Sequence, residues 1–117
     1  MSNKLFDSTN SLIARPTRFH KTPAVVAICE YAVNRVSGSK AIVGLDPQTG
    51  IRLWTATVNL IDLAPNDGCV WVNNNGTNKG LMDELIRLGV ISFNDRFTRS
   101  KEGYLFECRL LMQEKPA

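Results

Sequence analysis

The chain has 117 residues, 44% hydrophobic and 21% charged, with a formal net charge of +3. Those proportions describe one globular domain long enough to bury a real core, and they exclude a low-complexity or compositionally disordered polymer. No run of about 18 apolar residues occurs, which excludes a membrane-spanning helix.

The basicity is concentrated at one end. Within residues 1–21, Lys4, Arg15, Arg18 and Lys21 stand against Asp7 alone, and the rest of the chain is balanced. The segment is polar apart from the pairs Leu5-Phe6 and Leu12-Ile13, and Arg15-Pro16 and Thr22-Pro23 disfavour helix before each proline. Residues 1–22 therefore read as a basic, extended or partly ordered arm, and residues 23–117 as a single domain. The opening Met-Ser-Asn-Lys-Leu-Phe-Asp lacks the apolar run of an export signal, so a cytoplasmic location is expected. Three widely spaced cysteines, Cys29, Cys69 and Cys108, suit free thiols used as small hydrophobes rather than a disulfide framework.

Residues 24–36 satisfy two patterns. Val25, Ile28, Cys29, Ala32, Val33 and Val36 fit a helical stripe behind a Thr22-Pro23 start, whereas the abundance of β-branched residues favours a strand. The sequence alone leaves both open. Residues 40–60 are the clearest unit: two β-rich arms flank Asp46-Pro47-Gln48-Thr49-Gly50. Asp46 bonds the backbone ahead of it, Pro47 sets the first corner and Gly50 supplies a left-handed position. In the second arm Trp54, Ala56, Val58 and Leu60 alternate with Thr55, Thr57 and Asn59, the period of a half-buried strand.

A loop at residues 64–68 leads to a short strand, Cys69-Val70-Trp71-Val72, which Asn73-Asn74-Asn75-Gly76 breaks. A helix is expected over roughly residues 78–88, capped by Thr77 or Asn78 and stopped at Gly89, with Leu81, Met82, Leu85, Ile86 and Leu88 as its apolar stripe. The closing strand places Tyr104, Phe106, Cys108, Leu110 and Met112 on a core face and Glu107, Arg109 and Gln113 on a polar one. The expected fold is α+β: an antiparallel sheet of about five strands, one helix packed on one face, and the basic arm.

With these elements in order, the chain resembles an uncharacterised small domain family associated with bacterial phages and mobile elements. The resemblance covers about residues 24–112. It is carried by Ala41-Ile42, Asp46, Thr49-Gly50, Thr55-Ala56-Thr57-Val58-Asn59-Leu60, Asn73-Asn74-Asn75, Leu88-Gly89, Tyr104 and Phe106. It implies a strand for the segment matching residues 24–36, and a bacterial host whose cytoplasm holds the protein. The connection over residues 33–39 is longer than the family pattern, and Gly44-Leu45 departs from it before the turn.

Constellations for catalysis are sparse. His20 is a lone histidine in the polar arm, neither Cys-x-x-Cys nor His-x-x-x-His occurs, and no nucleophile has a recognisable base. Asp62, Asp67, Asp83, Glu84, Asp95 and Glu102 are scattered. Gly76-Thr77-Asn78-Lys79-Gly80 lies where a strand meets a helix but lacks the ending of a phosphate-binding loop, so a solvated loop is the better account. No cofactor and no metal are expected, and a non-enzymatic protein is.

Binding residues are the remaining candidates. Arg15, Arg18 and Lys21 in the arm form one basic group; Arg96, Phe97, Arg99 and Lys101 form another, interleaved with an aromatic ring near a turn. Arginine with aromatics suits a protein-interface anchor or a nucleic-acid groove, and also describes an ordinary hairpin tip. Trp54 and Trp71 suit the core. Small size, absent catalytic residues and the family's setting point first to a phage or mobile-element accessory protein. Its partner would be a host protein, in concrete form a defence nuclease complex blocked by an anti-CRISPR inhibitor. The alternative is a small nucleic-acid-binding module using the arm and the 96–101 turn. An exposed edge strand would also let two copies pair as a homodimer.

Overall fold

The turn at residues 46–50 forms as its side chains dictate. Asp46 Oδ1 accepts hydrogen bonds from the backbone N–H groups of Gln48 (2.8 Å) and Thr49 (3.3 Å). Gly50, at φ +74°, donates its N–H to the Asp46 carbonyl at 2.8 Å. The turn joins β3 (Lys40–Leu45) to β4 (Arg52–Thr55). In this computed structural model residues 15–30, 40–60 and 62–111 are described. The chain divides into two compact units, residues 1–55 with 113–117, and residues 56–112.

In the first unit β1 (Arg15–Phe19), β2 (Thr22–Glu30), β3 and β4 form an antiparallel sheet in that order. Strand is therefore the outcome for residues 22–30, and residues 31–39 lie outside the described ones. The ambiguous periodicity has a physical cause. Ala24, Val26 and Ile28 are buried on one face of β2 and Ala27 on the other, so the apolar run has no polar alternation. On the Ala27 side, Ala41 and Val43 complete a small cluster with Leu45 packed against it. On the opposite side the register sets Gly44 beside Trp54, and the indole lies where a Cβ at Gly44 would be. Phe19 meets that ring edge-on, with centroids 6.2 Å apart.

Part of the expected arm belongs to this sheet. Residues 15–19 pair with residues 22–26 through a two-residue turn at His20 and Lys21, whose φ values of 53° and 63° are those of a primed hairpin turn. The remainder of the arm, residues 1–14, lies outside the described residues.

The second unit contains β5 (Thr57–Val58), β6 (Cys69–Asn73), α1 (Leu81–Arg87), β7 (Ile91–Ser100) and β8 (Gly103–Leu110). Its antiparallel sheet has the order β5-β6-β8-β7. The α+β class holds, but two four-stranded sheets replace the single sheet of about five. The arm over residues 52–60 is not one strand: at Ala56 it leaves the first ladder, and the Ala56 carbonyl accepts the Asn73 N–H at 2.8 Å.

The helix is shorter than its stripe suggested. A 3₁₀ turn at Gly76–Asn78 precedes it, and Gly80, at φ 92°, separates the two. Leu81 and Leu85 are fully buried, and α1 lies against β7. The cap comes from neither Thr77 nor Asn78. Asn74 Oδ1 accepts from the N–H groups of Gly80 (3.0 Å) and Met82 (3.1 Å), while Asn78 donates its Nδ2 to the Asn73 carbonyl (3.2 Å).

Candidate interaction site on the closing hairpin

The strands β7 and β8 form a hairpin whose two faces differ in chemistry. Leu105 and Glu107 lie on one face; Tyr104, Phe106 and Cys108 lie on the other. The expectation of a core face bearing Tyr104 and a polar face bearing Glu107 is overturned at both residues. Glu107 is 0% exposed and Tyr104 is 47% exposed.

A carboxylate at zero exposure needs its charge compensated. Glu107 Oε2 accepts the Asn66 backbone N–H at 2.8 Å and Arg96 Nη1 at 2.7 Å. Oε1 accepts Asn66 Nδ2 at 3.1 Å and Asn94 Nδ2 at 2.5 Å. Burial alone would push this carboxyl up, but the donors on Asn66 and Asn94, with the Arg96 charge, outweigh it and hold it below the ordinary carboxylate value.

The backbone is shaped to bring those donors together. The register shifts between Phe93, opposite Cys108, and Arg96, opposite Glu107, so Asn94 and Asp95 form a bulge. Asp95 sits at φ 59°, a left-handed conformation that Asp tolerates better than most residues. The Arg96 guanidinium also lies 5.2 Å from the centre of the Trp71 ring, and Trp71 donates its indole N–H to the Leu63 carbonyl at 2.8 Å. The loop before β6 is thus fastened to the sheet at both Asn66 and Leu63.

The other face carries four rings in contact. Phe97 meets Tyr104 edge-on at 5.6 Å and Phe106 at 6.4 Å, and Phe93 meets Phe106 edge-on at 5.8 Å. The Arg99 guanidinium lies 5.7 Å from the Tyr104 ring centre. Phe97 is 60% exposed and Phe93 39%, so these rings are ordered by one another while remaining open to solvent. Lys101 and Glu102 are exposed at the hairpin turn.

No family model, curated protein sequence or solved structure matches this chain. The site is therefore defined by its own geometry. Of the residues singled out in the sequence, Phe97 and Arg99 share the aromatic face and Lys101 sits at the adjoining turn, whereas Arg96 belongs to the opposite face as the ion-pair partner of Glu107. Arg18 and Lys21 lie at the β1–β2 turn of the first unit, where Arg18 Nη1 donates to the Lys21 carbonyl at 3.5 Å. Arg15 begins β1. Tyr104 and Phe93 were not singled out. Their signal was available in the alternation of β8 and in the return of an aromatic four residues after Phe93, once the two-residue bulge is counted.

In the loop at residues 76–80 three N–H groups are committed internally: that of Asn78 to the Asn75 carbonyl, that of Lys79 to the Gly76 carbonyl and that of Gly80 to Asn74 Oδ1. Cys69 and Cys108 are buried and free. Burial, with the nearby Cys69 and Glu107, pushes the Cys108 thiol up to about 12; burial and the Glu107 charge push Cys69 up as well. Both are thereby poor nucleophiles at neutral pH. Among the described residues, no group of three or more His, Cys, Asp and Glu is placed to hold a metal ion.

Proposed function

We propose that this chain acts by binding another protein, with the aromatic face of the β7–β8 hairpin as its docking surface. In the setting implied by the family resemblance, it is an accessory protein of a phage or mobile element and its partner is a host protein, of which a defence nuclease complex is the concrete case. The observation that carries this reading is the ordered cluster of Phe93, Phe97 and Tyr104, open to solvent and flanked by Arg99. Aromatic rings and arginine supply most of the energy where proteins meet.

Charge favours a protein over a nucleic acid. Arg99, Lys101 and Arg109 on the hairpin are accompanied by Asp95 and Glu102, and Arg96 is neutralised by Glu107, which leaves one cation in excess. A phosphate backbone needs several uncompensated cations, which this hairpin lacks. The complementary surface is an apolar pocket for Phe97 and Tyr104, rimmed by carboxylates for Arg99 and Lys101.

The test is capture of host proteins by the tagged full chain, after nuclease treatment and at two salt concentrations, alongside Phe97→Ala and Tyr104→Ala. A stoichiometric partner that survives nuclease and is lost with either variant supports the reading. Bound material removed by nuclease or by salt transfers it to nucleic acid. A partner retained by both variants overturns the hairpin as the site.

A further inference from the structure

The two sheets have four edges, and three of them are guarded. The edge strand β1 contains Pro16, which has no N–H to offer; β4 has four residues and a register shift in its pairing with β3; β5 has two residues. The fourth edge is β7, ten residues long and without proline. Its bulge at Asn94 and Asp95 disrupts the first half, but residues 96–100 pair with β8 in unbroken register. Among the described residues no strand pairs with their outer side, which is a template for another strand.

The sequence of that segment, Arg96-Phe97-Thr98-Arg99-Ser100, suits one partner in particular. In antiparallel pairing with itself about a two-fold axis at Thr98, Phe97 of each copy lies opposite Arg99 of the other. Both residues are exposed and on the same face of the sheet. The pairing makes two identical ring–guanidinium contacts and places no like charges opposite each other. An axis at Phe97 would instead require Asp95 opposite Arg99, and Asp95 lies in the bulge at φ 59°, out of line with the ladder.

The backbone alternation agrees with the axis at Thr98. Counted from the Ser100↔Gly103 pair that closes the two-residue turn, the N–H and C=O groups of Phe97 and Arg99 point away from β8. Those are the residues that the two-fold brings together.

We infer that residues 96–100 of β7 pair with the same segment of a second copy, joining the second-unit sheets of two copies into one of eight strands. This inference uses the edge of β7, so its backbone pairing does not depend on the docking proposal; Phe97 and Arg99 serve both, whereas Tyr104, on β8, serves the docking face alone. Five paired residues from each chain make a small contact, short of the ~1,000 Å² of a stable interface, so the dimer is a reversible one governed by concentration.

Sedimentation of the full chain, without any other protein, tests it. The expected result is a monomer–dimer equilibrium that Phe97→Lys weakens by roughly tenfold or more, because lysine then faces Arg99 of the other copy twice. Adding Arg99→Glu to Phe97→Lys should restore dimerisation, since each lysine then faces a glutamate. Amide exchange at positions 97 and 99 should slow as concentration rises. A wild-type chain that stays monomeric at its highest soluble concentration overturns the inference, including the case in which β7 serves a strand of another protein. A dimer indifferent to Phe97→Lys, or one that the double substitution fails to restore, overturns the register. Tyr104→Ala separates the two proposals, because it removes a ring of the docking face and leaves the paired segment of β7 intact: capture lost with the dimer unchanged speaks to the docking face, and a wild-type monomer speaks to the edge.

Discussion

The two faces of the β7–β8 hairpin are built from neighbouring residues and held by opposite means. On one, Glu107 is sealed from solvent and both of its oxygens are occupied by donors from Asn66, Asn94 and Arg96. On the other, four rings and Arg99 order one another while Phe97 and Tyr104 remain exposed. The one carboxylate of β8 is thus inside and its tyrosine outside. Residue type alone does not decide burial: a carboxylate goes inside when its donors converge, and rings stay outside when nothing in the unit covers them. The first face should therefore carry stability and the second binding, a division that substitutions can break.

The largest expected effect is at Glu107. Glu107→Ala removes an acceptor on which four donors converge and should cost about 2–4 kcal/mol in denaturant-induced unfolding. The lower part of that range is favoured by Arg96, whose side chain is 38% exposed and so regains water. A loss below about 1 kcal/mol would mean that the network is not what holds this face.

The same group sets an acid limb. The folded-state pKa of Glu107 lies below the ordinary carboxyl value of 4.5, so its contribution is fully present above that value and is lost as pH falls through the depressed one. Stability should accordingly fall as pH drops below about 4.5, and Glu107→Gln should flatten that limb while lowering stability at neutral pH. Equal pH profiles for the two proteins would remove Glu107 from the acid response.

How much of this was legible in the sequence follows from how local each determinant is. The turn at residues 46–50 was readable because Asp46 and Gly50 settle it among themselves. The helix start was misplaced because the cap comes from Asn74, several residues upstream across a 3₁₀ turn. The division into two sheets turns on Ala56, whose carbonyl is taken by Asn73, a partner that no local pattern announces. The burial of Glu107 depends on Asn66, 41 residues away, and on a bulge that brings in Asn94 and Arg96. At the candidate site, composition picked out Phe97, Arg99 and Lys101. It also grouped Arg96 with them, although alternation along β7 turns that side chain to the other face.

An intermediate effect is expected where the turn supports both faces. Gly103 sits at φ 110°, and a Cβ there would come 3.0 Å from Asn75 Oδ1, a side chain that donates its Nδ2 to the Tyr104 carbonyl at 2.8 Å. Gly103→Ala should cost about 1–2 kcal/mol through backbone strain and displacement of Asn75. Because it shifts the backbone that carries Tyr104, partner capture should weaken with it, although Gly103 presents no side chain to a partner.

The smallest effect on stability is expected from the residues proposed to make the docking surface. Phe97→Ala leaves no cavity in the core, since the ring is 60% exposed, and it forfeits mainly the edge contacts with Tyr104 and Phe106. Such contacts are worth about 0.5–1.5 kcal/mol in a buried pair, and solvent on one side puts this one at the lower end. The melting temperature should therefore move little, while capture of the proposed partner should be lost. The decisive comparison is with Glu107→Ala examined well below its own melting temperature, where a folded variant with an unaltered aromatic face should still bind. If Phe97→Ala instead destabilises the chain as much as Glu107→Ala does, the aromatic face is part of the core's support, and the division between a stabilising face and a binding face fails.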